Sequence, residues 1–287
     1  MPPVELTYLQ AVILGVVEGL TEFLPVSSTG HLTITEQLLG LPVDAPAVTA
    51  YTAIIQFGAI VATFLYFARK IARLFLAWVR GLRDPAQRTH DYQLAWAVIA
   101  GSLPVGIVGF VLRDLISGPL RSLWVVAAAL ILWSAVMWVA ERRHDVLERQ
   151  GLQRGEGSVT LRDGVVIGLV QCFSLIPGVS RSGATISAGL MRGIDRVTAT
   201  ELSFFLAIPA LTAAGIFQAV QERDGVAALG IGQVLVGMVV AFVVAYASIA
   251  WLLRFVRGHS LNYFVGYRVA LGLGLVVALS AGWMSAT

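Results

Sequence analysis

Glu18 and Glu22 stand four residues apart in an apolar stretch that runs directly into Pro25-Val26-Ser27-Ser28-Thr29-Gly30-His31. Spacing i,i+4 puts both carboxylates on one helix face. An ionisable group at membrane depth is expensive enough to mark a working site. Acid, hydroxyl and imidazole thus fall within fourteen residues. Glu18 and Glu22 could ligate a divalent cation together with phosphate oxygens, a mixed site that magnesium favours. Alternatively, one of them could act as a general base, or both could be buried acids bonded to helix backbone. His31 reads as a base or proton donor. Ser28 is a candidate nucleophile beside an imidazole and a carboxylate, with water as the alternative attacker.

A second constellation, Pro177-Gly178-Val179-Ser180-Arg181-Ser182-Gly183-Ala184-Thr185, lies in another apolar stretch. After each break a new helix begins, and its Ser and Thr are good N-caps. Two helix N-termini converging at one point make an anion site. Arg181 adds a planar cation suited to bidentate phosphate binding, and Ser180, Ser182 and Thr185 add hydroxyls. The bland readings are simple capping for the hydroxyls and an ion pair with Glu18 or Glu22 for Arg181.

The chain around these motifs has 287 residues, 57% hydrophobic and only 13% charged, against about 25% charged in soluble domains. It is read as one all-α polytopic membrane domain, 1–287. Its net charge of +3 comes from nineteen arginines and one lysine, Lys70. In a membrane protein these read as loop charges that orient the chain and meet anionic lipid, so no nucleic-acid partner is expected. Cys172 is the single cysteine, which excludes an internal disulfide and a cysteine metal site. The N-terminus, Met1 to Glu5, lacks a basic region, so no cleaved signal peptide is expected.

A span needs about 20 apolar residues. Six stretches qualify, near 48–68, 92–112, 122–140, 198–220, 230–253 and 264–284. Residues 6–40 and 160–192 are each interrupted midway by Pro, Gly and Ser. They are read as two re-entrant helix pairs, since irregular backbone survives at depth only where protein or a watery cavity satisfies it. Arginines concentrate in 69–91, in 141–162, at Arg192 and Arg196, and at Arg254 and Arg257. The opposite loops hold Arg113, Arg121 and Arg223. The positive-inside rule makes the first group cytoplasmic, so both termini lie outside and the first pair opens outward.

A shift of 153 residues aligns the two interrupted segments, matching Gly15 with Gly168, Val17 with Val170, Val26 with Val179, Ser27 with Ser180 and Gly30 with Gly183. Each half, about 6–140 and about 160–284, then supplies one broken pair and three spans. An odd number of spans inverts the second half, and such repeats place their site near the midplane. Glu18 aligns with Gln171, Glu22 with Leu175 and Ser28 with Arg181. The acids therefore belong to one half and the cation to the other. Gln56 and Glu201 are read as facing the site or packing helices, and Arg268 as snorkelling to the cytoplasmic face.

The stretch Glu18-Gly19-Leu20-Thr21-Glu22-Phe23-Leu24-Pro25-Val26-Ser27-Ser28-Thr29-Gly30-His31-Leu32 closely resembles the first signature of the bacterial undecaprenyl-diphosphate phosphatases, the bacitracin-resistance family. Residues 177–185 resemble the second signature. Glu201-Leu202-Ser203-Phe204-Phe205-Leu206-Ala207-Ile208-Pro209 is similar to a third stretch, with Leu202 where an aromatic is expected. The resemblance implies a multi-pass protein of the bacterial inner membrane. It would hydrolyse undecaprenyl diphosphate to undecaprenyl phosphate and inorganic phosphate, recycling the lipid carrier of cell-wall synthesis. It also implies a divalent cation, magnesium or calcium, and a site open to the outer side. On this chain it assigns catalysis to Glu18, Glu22, Ser28, His31 and Arg181, and phosphate contacts to Ser27, Thr29, Gly178, Ser180, Ser182 and Thr185. The rival reading is a transporter that flips the lipid phosphate, because inverted repeats suit transport. A third, a structural or efflux protein, leaves the acids and Arg181 unexplained. Hydropathy leaves a homodimer open.

Overall fold

A computed structural model describes residues 6–43, 45–221 and 230–286. Arg223 and residues 1–5 lie outside them. The described residues form helices α1 (Tyr8–Thr21), α2 (Ser28–Leu38), α3 (Pro46–Tyr66), α4 (Ala68–Arg83), α5 (His90–Val111), α6 (Arg113–Ser117), α7 (Leu123–Arg149), α8 (Leu161–Gln171), α9 (Arg181–Met191), α10 (Arg196–Gln221), α11 (Ile231–Phe255) and α12 (Asn262–Ser280). Six of these, α3, α5, α7, α10, α11 and α12, are long and apolar enough to cross a membrane. They fall within a few residues of the six expected stretches, apart from the overrun of α7.

Each interrupted segment forms two short helices packed on one another, α1 with α2 and α8 with α9. At 14 and 11 residues, α1 and α8 extend only about 21 and 17 Å at 1.5 Å per residue, short of a hydrocarbon core of about 30 Å. Their starts are built alike. Thr7 and Thr160 each cap a helix through a reciprocal capping box, with Gln10 and Asp163 respectively. Both pairs are 153 residues apart. The helix after each break also starts alike: Ser27 (φ 77°) and Ser180 (φ 75°) are the only non-glycine residues with positive φ among those described. Each turns its hydroxyl to accept from the amide three residues on, Gly30 or Gly183. That conformation costs about 1–3 kcal/mol per residue and persists where surrounding structure enforces it.

The two hairpins are seated reciprocally. Helix α1 packs on α11, and α8 packs on α5. Close approach requires glycine at both interfaces. A Cβ on Gly15 would meet the Gly237 carbonyl oxygen at 2.7 Å, and one on Gly168 would collide with the Gly101 carbonyl. Small residues let backbones meet where lipid supplies no hydrophobic drive between helices. Helix α7 packs on α12, and α10 lies against α3, α5 and α9. The largest buried cluster joins Phe23 and Val26 of the first break to Ile186 of α9, Phe204 and Phe205 of α10, and Ile249 of α11.

Two expectations change. The arginine-rich segment 69–91, read as a loop, is mostly the amphipathic helix α4: Arg69, Arg73, Arg80 and Arg83 accompany the exposed apolar side chains Phe75, Leu76 and Leu82. Its arginines recur at helical spacing, at 69, 73, 80 and 83, so the charges that orient the chain also form the polar face of a helix. Helix α7 likewise runs past the apolar stretch to Arg149. Of the two readings of Glu201, helix packing holds: on α10 it pairs with Lys70 of α4, which also binds Glu156.

Candidate active site

The two breaks meet. Glu22 closes α1 as its C-terminal cap, and Arg181 opens α9. Arg181 Nη2 donates to Glu22 Oε1 at 3.3 Å and to the Glu22 carbonyl at 3.3 Å. Its Nη1 donates to the Ser203 carbonyl at 3.0 Å. The guanidinium also lies over the Phe23 ring, 5.8 Å from its centroid. One residue on, the Ser182 hydroxyl donates to the Leu24 carbonyl at 2.9 Å. Positive and negative side chains from opposite halves are thus in direct contact, in surroundings that bury both.

On its other oxygen, Oε2, Glu22 accepts the Ser28 hydroxyl at 2.7 Å. The hydroxyl is therefore aimed at a carboxylate, in the geometry a general base needs. Glu18, one turn earlier, is buried and within electrostatic reach of both Glu22 and Arg181. Its Oε1 has no hydrogen-bond partner. Its aligned counterpart Gln171 is also fully buried, with both amide atoms unpartnered.

The remaining expected residues divide. Ser27 and Ser180 cap helices. The Ser180 hydroxyl shares a 3.1 Å hydrogen bond with Ser182, and Thr185 donates to the Arg181 carbonyl at 2.9 Å and shares a 2.7 Å hydrogen bond with the Ser203 hydroxyl. Ser182 thereby joins the second break to the first, while Ser27, Ser180 and Thr185 order the turns and helix starts around it. Thr29 is exposed beside the half-buried Ser28. Gly178, at φ 99°, abuts α7, where a Cβ would meet the Val126 carbonyl at 2.5 Å.

Both ring nitrogens of His31 have partners other than Ser28. Its Nδ1 lies 2.7 Å from the Ser27 carbonyl, and its Nε2 lies 2.6 Å from the Tyr267 hydroxyl. The two rings are stacked, with centroids 5.7 Å apart. Sequence reasoning passed over Tyr267, which is 236 positions away on α12. It also passed over Ser203, although the third family stretch contains it.

Arg268 corrects a sequence reading outright. It does not snorkel: it is fully buried, the largest such side chain among those described. Its Nη1 donates to the Pro25 carbonyl at 3.3 Å, and its Nη2 to the Gly178 carbonyl at 2.9 Å and to carbonyls of Ala129 and Leu130. Its Nε reaches the Ser134 hydroxyl at 3.2 Å. One guanidinium therefore ties both breaks to α7. Hydropathy places α12 in the membrane but does not say which way each residue points, and an inward arginine near a helix start looks like a snorkelling one.

The family described as Bacitracin resistance protein BacA matches residues 11–274. Relatives are similar over nearly their whole lengths. The protein named Undecaprenyl-diphosphatase 3 from Frankia casuarinae is 56% identical over 282 residues, covering 97% of this chain and 99% of the relative. Undecaprenyl-diphosphatase from Acidothermus cellulolyticus is 53% identical, covering 96% and 98%. That from Mycobacterium sp. (strain KMS) is 47% identical, covering 98% and 100%.

Proposed function

The chain belongs to the bacitracin resistance protein BacA family, and we propose that it carries out that family's phosphatase reaction where the two breaks meet. It is a membrane hydrolase that converts undecaprenyl diphosphate to undecaprenyl phosphate and inorganic phosphate, recycling the lipid carrier of peptidoglycan synthesis. The observation that carries the assignment of the site is the double engagement of Glu22: Ser28 on one oxygen and Arg181 on the other.

The diphosphate displaces Glu22 from Arg181. Nη1 stays on the Ser203 carbonyl, and the free edge of the fork turns to phosphate oxygens, a geometry that guanidinium matches bidentately. Glu22 is thereby released from Arg181 and keeps the Ser28 hydroxyl on its other oxygen. It takes a proton from Ser28, or from a water in its place, as that oxygen attacks the terminal phosphorus and the bond to the bridging oxygen breaks, so that undecaprenyl phosphate leaves; attack by water gives inorganic phosphate directly, and a phosphorylated Ser28 gives it on hydrolysis by a second water. The amides at the starts of α2 and α9 face accumulating negative charge. A divalent cation suits the donors, because Glu18 keeps a buried carboxylate oxygen without a partner and hard cations take oxygen ligands. Glu18 and Glu22 would hold it, and magnesium or calcium there would supply neutralising charge to the phosphates. Six spanning helices and bacterial relatives fit the inner membrane. The mouth is assigned to the outer side because the arginine-rich segments mark the cytoplasmic one, with the isoprenoid tail between lipid-facing helices.

Purified protein in detergent should release phosphate from undecaprenyl diphosphate, lose that activity to a chelator and regain it with magnesium or calcium. Glu22→Gln should lower kcat by about 100-fold or more. Unchanged turnover in Glu22→Gln would overturn the site.

A further inference from the structure

We propose that Tyr267 is a positioning residue for His31, fixing its ring plane and capping the one ring nitrogen able to exchange a proton. The inference rests on the phosphatase reading and adds a third element, α12, to the two broken hairpins.

A carbonyl oxygen only accepts hydrogen bonds. The Ser27 carbonyl, 2.7 Å from His31 Nδ1, therefore requires the proton on Nδ1. In the neutral ring Nε2 is then an acceptor, and the group facing it at 2.6 Å is the Tyr267 hydroxyl, which donates. When the ring becomes charged, Nε2–H donates to the same oxygen. Tyr267 thus satisfies both protonation states without moving. The stacked rings, inclined by 11°, hold the imidazole plane. Tyr267 itself is 48% exposed, so a proton leaving His31 Nε2 meets this hydroxyl before it meets water or phosphate. Ser28 has its own acceptor in Glu22. The site therefore has two separate proton routes, one from Ser28 to Glu22 and one through His31 and Tyr267. The neighbouring residue on α12, Arg268, is anchored to Pro25 and Gly178, so the helix carrying Tyr267 is fixed against both breaks.

The test is a double-mutant cycle on purified protein, with phosphate release from undecaprenyl diphosphate as readout. Tyr267→Phe keeps the stacked ring and removes only the hydroxyl. Partners that orient a metal-ligating histidine typically contribute 10–100-fold; for the same orienting role at His31, kcat should fall by about 10-fold or more while KM changes less than about twofold. In a His31→Gln background the same change should have little further effect, since groups acting as one unit are non-additive. Wild-type kcat in Tyr267→Phe overturns the proposal, as does an equal loss in both backgrounds. A loss matched by a falling folded fraction, with kcat per folded molecule unchanged, also overturns it. Absence of phosphate release by the wild-type protein would instead remove the phosphatase reading itself.

Discussion

The Arg181 guanidinium of the second break lies 3.3 Å from the Glu22 carboxylate of the first, both side chains buried. A buried pair of this kind is held in place by its own neutrality, because either partner alone would face a large desolvation penalty. An incoming phosphate can replace the carboxylate without leaving the arginine uncompensated. On the function proposed above, the resting pair holds the place of the substrate's charge.

Arg181→Lys should keep the charge and lose most turnover, because an ammonium cannot hold the Ser203 carbonyl and a phosphate edge together. The expected drop in kcat is about 100-fold, or roughly 3 kcal/mol of transition-state stabilisation. Phosphate release by the purified variant in detergent measures it, and near-normal turnover would refute the role.

Arg268→Met should strip the Pro25 and Gly178 carbonyls of their donor. Each buried acceptor left unsatisfied costs about 1–3 kcal/mol. The unfolding midpoint should fall by roughly 5 °C or more, and activity should fall further than the loss of folded protein explains. Arg268→Lys should not restore either, since its single ammonium cannot span five acceptors. Thermal melts in detergent, paired with turnover per folded molecule, read both effects.

Gly168→Leu should prevent α8 from seating on α5, because even a Cβ there would collide with the Gly101 backbone. Folded yield, followed by size-exclusion chromatography in detergent, should collapse. Gly106→Leu is the control: it lies on α5 with open space around its Cβ position and should stay close to wild type.

Asp163 supplies a pH-dependent term at the start of α8. Burial alone would raise its carboxyl, but hydrogen bonds from Arg154, Thr160 and Arg192 outweigh that and hold it well below the usual carboxylate range. A depressed folded value means that the stabilisation is complete above the unfolded value, about 3.9, and fades as pH falls below it. The melting temperature should therefore be insensitive to this group from neutral pH down to about 5, then decline. Asp163→Asn should melt lower at neutral pH and show a shallower acid decline.

Much of this arrangement is legible in the chain itself. Length and hydropathy locate the spans, because a bilayer imposes one length scale on every helix. The acid pair, Arg181 and the two capping serines are visible because local motifs encode them: spacing places Glu18 and Glu22, and Ser-x-x-Gly marks each restart. Pairing across the molecule is not encoded locally. Nothing near Tyr267 in sequence announces His31, and nothing near Arg268 announces Pro25 or Gly178. The same limit explains why Ser28 is found on Glu22 while His31 is found elsewhere. All three sit within one short segment, and only the turn at Ser27 decides which side chains converge.

The grip of Arg268 bears on how the lipid is handled. A carrier that moves its cargo by rocking one half past the other needs two bodies that can part company. Here a single rivet runs through both, and sliding them would strand a cation in a dry interior. Any such movement would first have to break the hydrogen bonds from Arg268 to Pro25 and Gly178.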